Sequence, residues 1–254
     1  MILTNGARFL YDCVLTLAYP QACALCARSV EQRKFGVVCE ACWQHARIFS
    51  ADETICWKCG LPGPAEIALE FRDQVRCLRC DSEPFTAARA VGLYEGALHE
   101  AVLMLKRQPH LPAYVEELMV AAAMRQPLNA STVIMPVPLH PKRLRSRGFN
   151  QAAVIAEALS KRLRVPLDEV SLARVSATDK YRAGLDAKGR RDTVAGAFTV
   201  RHTRLVAAED ILLVDDVFTT GATVSACAEA LLEAGASSVY VLTLARAAKG
   251  QIAT

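Results

Sequence analysis

Two hydrophobic rhythms divide the chain. From about residue 86 onward, short unbroken apolar runs alternate with stretches of helical period. Thr132 to Val137 is a short apolar strand, and Ile211 to Val214 is a second one, continuous enough to be buried on both faces. Ser238 to Leu244 is the final strand. Helices are predicted from about Gln151 to Arg164 and from about Ala222 to Ala234, the latter ended by Gly235. Such alternation predicts a parallel sheet with helices on both faces. Before residue 86 the rhythm is different: apolar runs are few, and Gly36, Gly60, Pro62, Gly63 and Pro64 break them. The first residues form an exception. Phe9, Leu10, Cys13, Val14 and Leu17 fall at helical spacing. They predict a docked amphipathic helix from about Ile2 to Ala18, because Arg8 and Asp12 interrupt it and no basic stretch precedes it as in a signal peptide.

The residues just past Val214 carry the chemistry. Asp215 and Asp216 stand at the end of the apolar run, then a loop of small residues, Thr219, Thr220, Gly221, Ala222 and Thr223, opens the next helix. Free N–H groups at a helix start, with neighbouring hydroxyls, form an anion cradle. Two carboxylates repel a phosphate but suit a ribose diol or a divalent cation. A sugar with a 5′-phosphate and free 2′- and 3′-hydroxyls satisfies both halves. The ordered string Asp215-Asp216-x-x-Thr219-Thr220-Gly221-x-Thr223 resembles the phosphoribosyl-pyrophosphate (PRPP) motif of type I phosphoribosyltransferases. The resemblance implies that the acidic pair binds the ribose hydroxyls and the Thr/Gly loop wraps the 5′-phosphate.

Composition narrows the class. The 254 residues leave room for one medium and one small domain, and 52% are hydrophobic but only 6% aromatic, as in an Ala/Val/Leu-rich α/β core. A net charge of +4 is too mild to argue for nucleic acid by itself. No apolar run reaches the length of a membrane span.

Cysteine spacing supplies the second signal. Eight of the ten cysteines form four Cys-x-x-Cys pairs: Cys23/Cys26, Cys39/Cys42, Cys56/Cys59 and Cys77/Cys80. Two intervening residues let both thiolates of a knuckle face one tetrahedral ion, so eight thiolates fit two structural zinc ions. Sequential pairing leaves 12 and 17 residues between knuckles; Cys42 to Cys56 has 13, so spacing leaves a crossed pairing open. Disulfides do not suit a chain with no secretory signal, and the expected compartment is cytoplasmic. Without metal this segment buries too little surface to fold. His45 near Cys42 is surplus to the eight thiolates, and Cys227, at helical spacing with Val224 and Leu231, reads as a core residue. Trp43, Trp57, Arg28, Arg33, Lys34, Arg72, Arg76 and Arg79 offer an aromatic and basic surface, but packing of the tryptophans beside the knuckles is the preferred reading.

The third signal lies just past the strand ending at Val137. Lys142, Arg143, Arg145 and Arg147 lie in a predicted basic loop that runs to Gln151, suited to a polyanion such as pyrophosphate. Val137-Pro138-Leu139, followed by Arg147-Gly148-Phe149-Asn150-Gln151, resembles the signature of ComF-type proteins. That resemblance spans nearly the whole chain. After the amphipathic helix at 1–18, it implies a double zinc ribbon at 19–85 and a type I phosphoribosyltransferase-like α/β domain, a parallel sheet with helices on both faces, at 86–250. It assigns pyrophosphate contact to the loop at 137–140, and Lys106 is a further candidate for PRPP. Arg174, Thr178, Arg190 and Val194-Ala195-Gly196-Ala197-Phe198 echo the hood of such enzymes. Tyr181-Arg182 and Asp192-Thr193 depart from the usual Gln and Asn, and Gly184 and Gly189 would let a hood move.

The reading is therefore a PRPP-binding, magnesium-dependent phosphoribosyltransferase acting on an unidentified acceptor and linked to DNA uptake. Asp215 and Asp216 are its expected catalytic pair. A catalytically silent PRPP or nucleotide sensor, or an adaptor handling single-stranded DNA with DNA-uptake proteins, stays open. No residue presents itself as a base for the acceptor.

Overall fold

The computed structural model describes residues 20–63, 75–77, 80, 82–175 and 196–247. The expected helix at 2–18, with Cys13, and the hood positions from Thr178 to Ala195 lie outside them.

Four parallel strands form the central sheet: β1 (Ala87–Leu93), β2 (Val133–Pro136), β5 (Asp210–Phe218) and β6 (Ser238–Arg246), in the order β1-β6-β5-β2. A separate antiparallel hairpin pairs β3 (Leu172–Arg174) with β4 (Phe198–Val200). The helices are α1 (Glu40–Gln44), α2 (Gly96–Arg107), α3 (Ala113–Ala123), α4 (Pro141–Arg147), α5 (Gln151–Leu163) and α6 (Ala222–Glu233). In β6 every residue after the first is buried, and in β5 Ile211 to Val214 are, which is why these stretches read as continuous apolar runs rather than alternating ones.

Successive side chains of each strand supply two cores. Leu212, Val214, Leu242 and Leu244 face α2, α3 and α5, while Ile211, Leu213, Val239 and Val241 face α6. The cysteine-bearing segment divides between the same two cores. Cys23, Phe35, Cys39 and Trp43 join the first, and Cys56, Cys59, Cys80 and Phe85 join the second. Tyr114 of α3 meets the rings of Phe35 and Trp43 edge-on at 5.1 and 5.2 Å, and Trp43 Nε1 donates to the Phe35 carbonyl at 3.1 Å. Trp43 is thus a packed core residue.

Between its two halves the segment crosses the open edge of β1. Phe49 N donates to Val91 O, and Leu93 N donates to Arg47 O, both at 2.9 Å. A Cβ on Gly92 would collide with the Arg47 carbonyl, so only glycine permits this approach. At the opposite edge, Ile134 N donates to Pro166 O and Asp168 N to Ile134 O. Both rims of the sheet are therefore hydrogen-bonded to chain.

Two local expectations are corrected. The apolar run from Ile211 does not end at Val214: β5 continues to Phe218 because β6 stays paired with it as far as Arg246. The basic stretch is not a loop. Residues 141–147 form α4, with His140 Nδ1 accepting from Lys142 N, Pro141 at its start, and Gly148 closing it at φ 86°. Other differences are small. The strand expected over 132–137 spans only Val133–Pro136, and the last strand runs two residues past Leu244.

Candidate functional site

Parallel strands place their outgoing loops at one end of the sheet, where ligands of such folds collect. β5 outruns its neighbour here: β2 pairs with it only as far as Val214, leaving Asp215 to Phe218 beyond that partner. The pleat then turns adjacent residues apart. Asp216 faces α2, where its Oδ2 lies 3.6 Å from Lys106 Nζ. Asp215 faces α6, where its charge raises the Cys227 thiol pKa further above the level set by burial. Burial first, and the Asp216 charge second, hold the Asp215 carboxyl well above the ordinary carboxylate range; an N–H from Asp216 at 2.9 Å and the more distant Lys106 act against that. Cys227 is fully buried, in keeping with a core role.

Beyond Phe218 a loop of small residues opens the next helix, as expected. Gly221 caps α6 with φ +83°, a left-handed conformation that glycine adopts without strain. Thr219 is exposed, Thr220 and Thr223 are half-buried, and Ala222 N leans on Thr220 Oγ1 at 3.4 Å. The first N–H groups of this twelve-residue helix lack helical partners by construction. Underneath lies Phe218, whose ring would stand 2.9 Å from a Cβ on Gly221.

The loop after β2 is more closed than expected. Val137 is buried; its N–H donates to Val214 O at 2.8 Å and its carbonyl accepts from Asn150 Nδ2 at 3.0 Å. Val137 therefore fixes the loop and leaves Pro138 and Leu139 as its open residues. Arg145 and Arg147 are exposed on α4, and Arg147 Nη1 donates to Gln151 Oε1 at 2.7 Å. A cavity of about 430 Å³ opens between this loop and the β3/β4 hairpin, bordered by Leu139, Leu144, Arg174, Arg201 and His202. Residues 215–223 do not border it.

The cysteines resolve into two sequential sets, Cys23/Cys26/Cys39/Cys42 and Cys56/Cys59/Cys77/Cys80, each with its sulfurs within 4.8 Å of one another. A zinc–sulfur bond of about 2.3 Å gives a tetrahedron with edges of about 3.8 Å. The sulfurs approach that: Cys26 and Cys39 at 3.6 Å, Cys56 and Cys80 at 3.5 Å, Cys59 and Cys77 at 3.5 Å. Backbone N–H groups of Cys39 and Cys77 point at Cys23 Sγ and Cys56 Sγ, each at 3.3 Å, and so orient thiolates that would face a metal. Both sets fit structural zinc. His45 is in neither; its Nδ1 is engaged with Ala41 O at 2.7 Å.

Two buried arginines beside the second set escaped the sequence reading. Arg89 donates to the carbonyls of Trp57, Ala88 and Gln126, with Trp57 also beneath its guanidinium. Arg246 donates to Cys59 O and reaches Cys59 Sγ at 3.7 Å. Burial lowers the pKa of both, that of Arg89 to about 10, and the neighbouring cysteines act in the opposite sense. Nothing local in the sequence marks Arg246, which sits 187 residues from Cys59.

A family model described as a phosphoribosyl transferase domain matches residues 150–253, and one described as a double zinc ribbon domain matches residues 14–81. The chain is similar to the DNA utilization protein YhgH of Salmonella typhimurium, with 31% identity over 254 residues, 97% of this chain and 99% of that protein. Its similarity to YhgH of Escherichia coli is 30% over 240 residues, 91% of this chain and 99% of the relative. Competence protein F of Haemophilus influenzae is 36% identical over 121 residues, 47% of this chain and 52% of the relative.

Proposed function

Because this chain belongs to the ComF family, joining a double zinc ribbon to a phosphoribosyltransferase domain, we propose that it binds PRPP and transfers its phosphoribosyl group to an acceptor. The observation that carries this reading is the run from Asp215 to Thr223: a strand that outlasts its neighbour, an acidic pair, and a left-handed glycine opening α6. The N–H groups at the start of α6, with the Thr219, Thr220 and Thr223 hydroxyls, hold the 5′-phosphate. Asp215 and Asp216 accept from the ribose hydroxyls. Lys106, already beside Asp216, and the loop at Pro138 and Leu139 attend the pyrophosphate, with Arg145 and Arg147 supplying positive charge.

Magnesium bound with PRPP would neutralise charge on the departing pyrophosphate, and the acidic pair is chemically suited to meet it. In the transfer, the acceptor bonds to C1 as the C1–O bond to pyrophosphate breaks. Pyrophosphate leaves with the electron pair, and the acceptor's proton goes to solvent. The protein's part is placement and charge. The thiolate sites require a reducing compartment, so the proposal places the chain in the cytoplasm.

Calorimetric titration with PRPP and magnesium tests binding; release of pyrophosphate in the presence of candidate bases tests transfer. Wild-type binding that Gly221→Val abolishes is the expected result. Equal affinity in both proteins would remove the enzyme reading and the PRPP-sensor reading together.

A second reading is a DNA-handling role, in line with the names of the relatives. It is favoured by α4, which exposes Lys142, Arg143, Arg145 and Arg147 around Leu144. Anisotropy with labelled single-stranded DNA checks it. Binding through these cations should weaken steeply with salt, and should weaken again when Lys142 and Arg143 are neutralised.

A further inference from the structure

We infer that Arg246 is a positioning residue that ties the second thiolate site to the phosphate-facing loop. The tie runs through three contacts. One guanidinium nitrogen donates to the Cys59 carbonyl and another approaches Cys59 Sγ at 3.7 Å. The guanidinium lies over the Phe218 ring, 4.4 Å from its centroid. That ring fills the space beneath Gly221, where a Cβ would come within 2.9 Å. Ala247 N, next in chain, donates to Phe218 O at 2.9 Å and holds the strand end in register.

A second strut runs parallel to the first. Glu83 N donates to Cys80 O at 3.1 Å, and the Glu83 carboxylate accepts from Ser225 Oγ in the first turn of α6. Phe85, fully buried, meets Phe218 edge-on at 6.0 Å between ring centroids. The second cysteine set is thus linked, through Arg246 and Glu83, to both the residue before the loop and the helix after it. The first set packs on the other face of the sheet.

Charge explains why an arginine serves here. Four thiolates around a divalent ion carry net negative charge, and among the described residues no carboxylate lies within ion-pair distance of Arg246. Its Nε has no hydrogen-bond partner among them. A buried guanidinium in that state is held by the thiolate site and the ring, and by little else. The inference rests on the proposed phosphate role of residues 219–223 for its purpose, but not for its test.

The test is amide hydrogen exchange of peptides covering 215–226 in ligand-free protein, with zinc content measured on the same samples. Arg246→Gln should keep the fold and speed exchange there about tenfold. Phe218→Leu, which alters no group bonded to a cysteine, should do the same with both zinc ions retained, and it carries the test if Arg246→Gln loses the second zinc. Arg28→Gln, beside the first set, should leave these peptides unchanged, and Arg246→Lys should restore part of the protection. Unchanged exchange in Phe218→Leu, or an equal rise in Arg28→Gln, would overturn the inference. If wild-type protein binds no ribose 5-phosphate while exchange responds as expected, the proposed function falls and the coupling stands.

Discussion

Lys106 Nζ stands 3.6 Å from Asp216 Oδ2, joining the last turn of α2 to the strand that leads into the loop before α6. The pair is partly open to solvent, so as a structural bond it contributes no more than about 1 kcal/mol. In the proposed function its value lies in placing a cation beside the bound anion. Lys106→Met should shift thermal unfolding little, yet weaken PRPP about tenfold. Unfolding scans and calorimetry on the same variant separate the two effects.

Asp215 should respond in the opposite sense. Its folded pKa lies well above the value in the unfolded chain, so the folded protein holds the proton more tightly. That contribution is present at low pH and is lost as pH rises from about 4 through the raised value. Asp215→Asn removes the cost of an ionised carboxylate in this place. The variant should melt at a higher temperature than wild type at pH 7, with a flatter pH dependence, while its PRPP affinity falls by about 1.5–3 kcal/mol. Unfolding scans from pH 4 to pH 8 check the first half and calorimetry the second.

Gly221 tests the loop's shape. Any side chain there meets the Phe218 ring and forces a left-handed φ, at a cost of about 1–2 kcal/mol for the backbone alone. Gly221→Ala should reduce ribose 5-phosphate binding and Gly221→Val should abolish it, with circular dichroism unchanged in both. Loss of the helical signal in either would mean that the glycine serves the fold first.

Metal analysis of purified protein should find close to two zinc ions per chain. Cysteines of both sets belong to the two cores of the sheet, so chelation should lower the unfolding temperature of the whole described structure. Iron in place of zinc, or eight cysteines locked in disulfides, would refute the thiolate-site reading.

Arg145 and Arg147 should discriminate between ligands. Neutralising both should weaken PRPP more than ribose 5-phosphate, because only PRPP carries the pyrophosphate. Equal losses for the two ligands would move these cations from the pyrophosphate to the sugar end, or to the fold.

The sequence exposed the parts whose physics is local. The acidic pair and small-residue loop from Asp215 to Thr223 and the Cys-x-x-Cys knuckles are written in adjacent residues. Sequential pairing of the knuckles was one of two spacings the chain allowed, and the sulfur positions decide it. The true end of β5 was hidden, because Asp215 and Asp216 look like a strand terminus until β6 is seen to pair beyond them. α4 was hidden by its charges, although Pro141 at its start and Gly148 just past its end were visible helix signals. Arg89 and Arg246 were out of reach: neither falls in a strand the sequence predicts, and their anchors lie far along the chain, at Trp57 and Gln126 for Arg89 and at Cys59 for Arg246.

The strand order carries one more consequence, for the birth of the molecule. β1 is the first strand of the sheet to leave the ribosome, and its neighbour within that sheet is β6, the last. Every chain therefore spends most of its synthesis with β1 unpaired on that side, its other flank already able to meet residues 47–49. Closing the sheet means joining segments about 150 residues apart in sequence, a long loop that slows folding. The early cysteine segment shields one flank of a strand whose partner has yet to be made. That flank of β1 is bonded by chain made early, whereas its other flank is bonded by chain made last.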